Sequence, residues 1–134
     1  MLKNEKKVKN RPFLKWAGGK GQLVPAIDSQ LPDNLKTGKI NKYVEPFAGS
    51  GAVLFHLMNN YNIDEAYIWD INPELVLTYE VVKKDVDELI KNLKEMEDNF
   101  LPLEKDERKT NYYSIRENFN DELKNFNYNT YGKH

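Results

Sequence analysis

Two glycines and one aspartate have a spacing that suits the binding of a nucleoside. Gly49 and Gly51 stand between a predicted strand and a predicted helix, and Asp70 ends the next predicted strand. Glycines let the backbone approach a ligand closely, and the amides at the start of a helix favour negative charge. Asp70 follows Gly49 by 21 residues, near the roughly 20 at which a carboxylate accepts hydrogen bonds from ribose hydroxyls. Because the turn lacks the third glycine of the dinucleotide fingerprint, it favours a nucleoside without phosphates over a pyrophosphate.

A second cluster, residues 16–20 (WAGGK), places a lysine after a tryptophan and two glycines. It is not a phosphate-binding P-loop, because Leu14 stands where the first glycine of that motif belongs and Gly21 stands where Ser or Thr belongs. Lys20 can still bind a carboxylate through its ammonium group, and Trp16 offers a flat apolar wall. The alternative is a loop that contains a glycine pair and a tryptophan of the core.

The elements that position these residues form a strand, a turn, a helix and a second strand. Residues 43–47 and 66–70 have the composition of strands, and the second is apolar up to its last residue, which is typical of a buried parallel strand. Residues 52–60 carry the apolar pattern of a helix between them. This βαβ arrangement predicts an α/β fold with two parallel strands and flanking helices.

Helical periodicity predicts one helix before this unit. The apolar residues at positions 23, 27 and 31 predict a helix that begins near Gly21, with Pro25 in its first turns. Residues 32–42 are rich in polar residues and turn formers, so they are predicted to form a loop.

Two further helices are predicted after the βαβ unit. An apolar stripe from Leu75 to Met96 predicts one long helix packed on the core, with Asn72 as its N-cap and Pro73 at its first position. The last predicted helix turns three apolar side chains inward: Tyr112, Ile115 and Phe119.

Composition limits the class of protein. The 134 residues, 40% of them hydrophobic and 31% charged, predict one compact globular domain. The absence of cysteine excludes a disulfide scaffold, a thiolate zinc site and a cysteine nucleophile, and the two histidines are far apart, so no metal site is predicted. No apolar run reaches the roughly 18 residues of a membrane span, and the N-terminus lacks the apolar core of a signal peptide. We therefore expect a cytoplasmic protein with no membrane partner.

Charge is distributed unevenly along the chain. Residues 1–42 carry a net charge of +7 and the remaining residues one of −8, although the whole chain has a net charge of −1. A basic segment followed by an acidic one indicates an anionic partner for the basic segment. The alternative is a solvated basic tail.

Four segments resemble the Dam-type adenine-specific DNA methyltransferases, in the same order along the chain. Residues 13–20 (FLKWAGGK) are similar to the opening motif of that family, and residues 44–51 (VEPFAGSG) to its S-adenosylmethionine motif. Residues 69–75 (WDINPEL) resemble the motif that follows, and residues 112–116 (YYSIR) resemble a later helix. The resemblance implies a Rossmann-like methyltransferase fold that is incomplete in this chain.

The resemblance also implies a cofactor, a substrate and a set of binding residues. The cofactor would be S-adenosylmethionine, and its methyl group would be moved to the exocyclic amino group of adenine in double-stranded DNA, with the target base flipped out. Trp16 and Lys20 would line the methionine end of the cofactor, Asp70 would hold the ribose, and Lys15 would face DNA. The complete set of implied cofactor-binding residues is Trp16, Ala17, Gly18, Lys20, Pro46, Phe47, Gly49, Asp70 and Ile71. Among them Pro46, Phe47 and Gly49 would form a floor, and Ile71 would lie against the adenine.

The catalytic motif of that family is absent from this sequence. The family uses an Asp-Pro-Pro-Tyr type tetrapeptide, whose polar groups accept hydrogen bonds from the adenine amino group while its aromatic ring stacks on the base. These 134 residues contain no Pro-Pro pair, so no catalytic residue is assigned. We therefore expect the N-terminal portion of a methyltransferase that is inactive alone. With two strands whose outer edges are unpaired, it should be marginally stable, self-associate or depend on a complementary C-terminal polypeptide that carries the catalytic motif.

The same comparison predicts the organisation of the chain. Residues 1–11 are expected to form a disordered basic tail, residues 12–120 a partial cofactor-binding domain, and residues 121–134 an irregular tail at an apparent truncation. One alternative is a module that binds S-adenosylmethionine or a nucleoside without catalysis. Another is an unrelated helical interaction protein.

Overall fold

The structure is a computed structural model, and it describes residues 9–16 and 18–127. The length of the chain predicts one compact domain, whereas the fold divides into two compact units, with the boundary between Asn72 and Pro73. No helix in the described ranges is both long and apolar enough to cross a membrane.

The first unit has an α/β arrangement. A 3₁₀ turn, Lys20–Leu23, leads into α1 (Val24–Ser29) and α2 (Asp33–Lys36), and the βαβ unit follows. Its elements are β1 (Lys42–Glu45), α3 (Ala52–Asn60) and β2 (Glu65–Ile68). The predicted helix over residues 52–60 is therefore confirmed.

The helix predicted from Gly21 to residue 31 is shorter than expected. An α-helix beginning at Gly21 would need Pro25 to donate an amide hydrogen to the Gly21 carbonyl, and proline has none. The chain instead forms the tighter 3₁₀ turn first, and Pro25 takes a place in the first turn of α1. The predicted loop over residues 32–42 is also partly helical, because Pro32 with its extended backbone starts the short α2.

The two strands are parallel, as the sequence predicts. Val44 pairs with Tyr67 and Glu45 with Ile68. β1 ends before Pro46, which has no amide hydrogen to donate to a neighbouring strand. Both strands end two residues earlier than the sequence predicts.

One face of this sheet packs on helices of the first unit, and the side chains on the other face are about half exposed among the described residues. The core of the first unit contains Leu35 from α2 and Val53 and Leu57 from α3. The partly buried side chains packed against it are Val24, Ile27, Leu31, Tyr43, Tyr61 and Ile63. On the opposite face, Val44, Tyr67 and Trp69 are about half exposed. The prediction that the second strand is buried on both faces is therefore wrong for its outward side chains.

The second unit is helical, and its first predicted helix is broken. The single helix expected over residues 73–96 is two helices, α4 (Pro73–Lys84) and α5 (Val86–Phe100). Asp85, between them, leaves helical geometry with φ −132° and stands at the N-cap of α5. Aspartate is a weak helix former, which favours a break at this position.

The last helix, α6 (Lys105–Asn125), begins with a capping box between Glu104 and Glu107. It extends to Asn125, so residues 121–125 are helical rather than irregular. The prediction for residues 128–134, and most of the predicted N-terminal tail, lies outside the described residues.

The apolar stripes of the second unit are not buried as predicted. Tyr112, Ile115 and Phe119, expected to point inward, are each between 41% and 56% exposed. Leu75 of the long stripe is buried, but Leu93 and Met96 are about half exposed. An amphipathic period identifies the apolar face of a helix, and it does not by itself show that the face is covered.

Candidate cofactor-binding site

The turn between β1 and α3 requires glycine at two positions. Gly49 has φ +53° and Gly51 has φ +76°, a region that residues with a side chain rarely adopt. Gly51 is the N-cap residue of α3, and its amide donates to the Ala48 carbonyl over 2.9 Å. Trp16 lies against this turn, with its Cδ1 3.7 Å from the place where a Cβ at Gly49 would lie. The backbone of the turn therefore faces the tryptophan with no side chain between them.

Asp70 connects the ends of the two strands. Its Oδ2 accepts a hydrogen bond from the amide of Gly49 over 2.9 Å, and its Oδ1 accepts one from the amide of Asn72 over 3.0 Å. These bonds, with a smaller contribution from the charge of Lys20, hold the pKa of Asp70 below its ordinary value. A carboxylate has about four acceptor positions, so Asp70 can accept further hydrogen bonds from a diol.

Lys20 lies at the carboxyl end of β1. Its Nζ is 3.0 Å from Oε1 of Glu45 and also donates to the carbonyl oxygen of Phe47. Glu45 is the last residue of β1 and only 5% exposed. Burial and the nearby Glu45 carboxylate together raise the pKa of Tyr43. An ammonium group has three donors, so Lys20 can still bind one more acceptor.

No role is predicted for Glu45 from the sequence. The available signal was a carboxylate within the predicted strand 43–47, four residues before Gly49. Ser50 was missed as well, although it is buried within that turn and lines a cavity of about 750 Å³. Lys15, Trp16, Gly18 and Gly19 also line this cavity.

The segment that carries Trp16 follows helix α3 from its end to its beginning. Asn10 exchanges two hydrogen bonds with the Asn59 side chain, at 2.9 and 2.8 Å. Phe13 makes an edge-to-face contact with Phe55, with ring centroids 6.4 Å apart. One helix therefore positions both the glycine turn at its beginning and the segment leading to Trp16.

Two apolar side chains follow the carboxyl ends of the strands and lie in solvent. Phe47 is 72% exposed and Ile71 is 95% exposed. In α/β sheets, ligands bind beyond the carboxyl ends of the strands. Exposed apolar side chains at this edge indicate a surface that a ligand or another chain covers.

The structure brings most of the predicted binding residues to one edge of the first unit. Trp16, Lys20 and Asp70 are each linked to the segment 47–49 by the contacts described above. Gly18 has φ +74° and no atom within 4 Å of the place of a Cβ. Ala17 lies outside the described residues.

Comparison with known proteins identifies the family. A family model described as D12 class N6 adenine-specific DNA methyltransferase matches residues 16–130. The chain belongs to that family. The resemblance inferred from the four motifs is therefore confirmed.

Individual members of the family give the same result. The chain is 52% identical over 110 residues to the type II methyltransferase M.MjaIII of Methanocaldococcus jannaschii, a match covering 82% of this chain and 38% of the relative. It is 42% identical over 88 residues to a DNA adenine methylase of Haemophilus influenzae, covering 66% of this chain and 28% of that protein. The DNA adenine methylase of Escherichia coli K12 is 38% identical over 116 residues, covering 84% and 35%. The chain thus spans about a third of the length of these relatives.

Proposed function

We propose that this chain is the S-adenosylmethionine-binding portion of an enzyme that methylates the exocyclic amino group of adenine in DNA. The observation that supports this proposal most strongly is the position of Asp70. Its carboxylate is fixed beside the glycine turn by hydrogen bonds from the amides of Gly49 and Asn72. Membership of the D12 class N6 family supports the reaction. We also propose that further strands extend the two-stranded sheet into a Rossmann-like fold.

The residues at this edge fit the chemical groups of the cofactor. Asp70 would accept hydrogen bonds from the ribose hydroxyls, and the remaining donor of Lys20 would bind the methionine carboxylate. Phe47 would form part of the floor under the methionine end and Ile71 would pack on the adenine, which accounts for their exposure. When bound, S-adenosylmethionine supplies a methyl group activated by its attachment to a positively charged sulfur.

These residues bind and orient but do not provide the groups that polarise the target amine. The 134 residues contain no Pro-Pro pair and hence no Asp-Pro-Pro-Tyr type motif. We therefore propose that the chain alone binds the cofactor without transferring its methyl group, and that a complementary C-terminal polypeptide supplies the missing motif. The half-exposed side chains of Val44, Tyr67 and Trp69 offer that partner an apolar surface.

Double-stranded DNA is the proposed macromolecular substrate. Lys15 is exposed and lines the cavity beside Trp16. A lysine there would neutralise a phosphate and strengthen binding in a salt-dependent way. Action on DNA agrees with the cytoplasmic location expected from the sequence.

A module that binds the cofactor or a nucleoside without catalysis is the second candidate. The absence of the catalytic tetrapeptide favours it. It differs from the first proposal in predicting no methyl transfer even after a polypeptide with that tetrapeptide is added.

Calorimetric titration with S-adenosylmethionine tests the proposed binding. We expect heat of binding with the unmodified chain and none with Asp70→Ala. The matched control is Asp64→Ala, which changes an aspartate at the opposite end of β2 and should bind like the parent. A titration without heat for the unmodified chain, or equal binding by both variants, would contradict the proposal.

A methylation assay on duplex DNA tests the proposal that the chain alone transfers no methyl group. The purified chain should transfer no methyl group above a control without enzyme. Transfer by the chain alone would show that these residues contain a catalytic group not recognised in them.

A further inference from the structure

Glu45 is a buried carboxylate whose position needs an explanation. Its Oε1 lies 3.0 Å from Lys20 Nζ, and its Oε2 is buried without a hydrogen bond to any residue in the described ranges. Removing a carboxylate from water is unfavourable, and the ion pair with a partly exposed lysine, together with the neighbouring Tyr43 hydroxyl, compensates for it incompletely. Apolar residues of similar size would fill the same space without that penalty. A role at the neighbouring ligand site would account for a negative charge in this position.

Lys20 has two carboxylates within its reach. Glu45 holds it on one side, and on the other its charge acts on Asp70, where it contributes to the lowered pKa. The lysine side chain is long and flexible and presents a compact charge without a fixed geometry. Without Glu45, the Asp70 carboxylate would remain as a group that attracts the ammonium of Lys20.

We propose that Glu45 is a positioning residue, which holds the Lys20 ammonium beside the Phe47 carbonyl and away from Asp70. In this arrangement the third donor of Lys20 is directed to a ligand carboxylate, while Asp70 keeps its free acceptors for a ribose. The proposal rests on the proposed function, because it assigns the two ends of the ligand to Lys20 and Asp70. Glu45 would contact neither end of the ligand. Through its effect on Lys20, it would determine where both ends are bound.

Two ligands that share the thio-nucleoside, only one of which carries the amino-acid part, separate this role from general loss of structure. S-Adenosylhomocysteine carries the amino-acid carboxylate, and 5′-methylthioadenosine has the same nucleoside without it. Glu45→Gln should weaken binding of S-adenosylhomocysteine about tenfold, as expected for loss of one charge-assisted contact. Binding of 5′-methylthioadenosine should change less than about twofold.

A variant that combines Glu45→Gln with Lys20→Met shows whether Glu45 acts through Lys20. Lys20→Met should reproduce the same selective loss, and adding Glu45→Gln to it should weaken binding no further. Lys20 is partly exposed, with a side-chain exposure of 30%. The Lys20→Met variant can therefore be compared with the unmodified chain even if the Glu45→Gln variant, which is changed at a buried position, folds poorly. Equal losses for both ligands, or additive losses in the double variant, would overturn the proposal.

Chemical labelling tests the pairing without any ligand. An amine-acylating ester should modify Lys20 more slowly than the exposed Lys15, because the Lys20 Nζ is partly buried and in contact with Glu45 and the Phe47 carbonyl. Glu45→Gln should raise the rate at Lys20 and leave the rate at Lys15 unchanged, as measured by peptide mass spectrometry. An unchanged rate at Lys20 overturns the positioning role alone. Failure of the unmodified chain to bind either ligand overturns the proposed function and this inference with it.

Discussion

The amide of Gly49 donates a hydrogen bond to Oδ2 of Asp70 over 2.9 Å, across a sequence separation of 21 residues. The bond joins the turn after β1 to the residue that follows β2. The shape of the glycine turn and the orientation of the carboxylate are therefore coupled. A change that disturbs the turn should also move the group that we assign to the ribose.

Replacing Asp70 should destabilise the first unit in a pH-dependent way. Asp70→Asn keeps the shape but removes the charge that accepts two amide hydrogens, so we expect a loss of about 1–3 kcal/mol in the free energy of unfolding at neutral pH. Because the pKa of Asp70 is lowered in the folded chain, its contribution is complete above its ordinary value of 3.8 and is lost as the pH falls through the folded value. Denaturant unfolding of parent and variant at several pH values measures the difference, which should shrink in acid. A difference that is independent of pH would contradict this assignment.

Substitutions at two glycines should have opposite effects. Gly51→Ala places a side chain at φ +76°, and we expect it to lower the free energy of unfolding by about 1–2 kcal/mol. Gly21→Ala, in the 3₁₀ turn, has an ordinary φ and no atom within 4 Å of the new Cβ. It should leave stability unchanged or raise it by up to about 1 kcal/mol, since alanine reduces the freedom of the unfolded chain. Thermal melts of both variants provide the comparison, and equal melting shifts would speak against the strained turn.

A cluster around Asp28 should make the first unit sensitive to acid. Oδ1 of Asp28 accepts hydrogen bonds from His56 Nε2 at 2.7 Å and from the Tyr61 hydroxyl at 2.6 Å. These bonds hold the pKa of Asp28 below 3.8, so the stabilisation is present above that pH and disappears as the carboxylate is protonated below it. Asp28→Asn should be less stable than the parent at about pH 6, and the difference should disappear as the pH falls through the folded pKa of Asp28, which lies below 3.8.

The control for this cluster is Asp33→Asn, which changes an exposed aspartate in the same unit. Its difference from the parent should be smaller at every pH. Should both variants show the same pH profile, the effect would come from net charge and not from the contacts with His56 and Tyr61.

Loss of the Asn10–Asn59 pair should release the segment that leads to Trp16. Asn59→Ala removes two exposed hydrogen bonds and should lower the free energy of unfolding by about 0.5–1.5 kcal/mol. In a Trp69→Phe background, where Trp16 is the remaining tryptophan, its fluorescence should move to longer wavelength as the ring becomes more exposed. Asn62→Ala, just beyond α3, should leave the emission unchanged, and an equal shift in both variants would refute the connection.

Local sequence patterns predicted the βαβ unit well. The bounds of α3 follow from the glycine turn before Ala52 and the asparagines at its end, both visible in the sequence. The spacing of Gly49 and Asp70 predicted that both contribute to one binding site, because parallel strands joined by a helix bring their carboxyl ends to one edge. Their direct hydrogen bond was not predicted. These features depend on residues whose conformational preferences agree with the final structure.

Other features depend on contacts between residues that are far apart in the chain, and a single sequence does not reveal these contacts. The pairing of Lys20 with Glu45 joins the 3₁₀ turn to β1 and leaves no periodic signal. The break at Asp85 interrupts a stripe whose apolar spacing is continuous across it. Hydrophobic periodicity likewise indicated an inward face for Tyr112 and Phe119, because it reports which side chains share a face and not what packs on that face.

The attachment of residues 10–16 to α3 restricts how this region can change in evolution. Surface connections normally accept insertions and deletions, because their ends are free to adjust. Here the contacts of Asn10 with Asn59 and of Phe13 with Phe55 fix the segment at two points on a rigid helix before it reaches the glycine turn. One residue more or less between Phe13 and Trp16 would shift the indole along that turn. Homologous enzymes should therefore keep the number of residues in this segment constant.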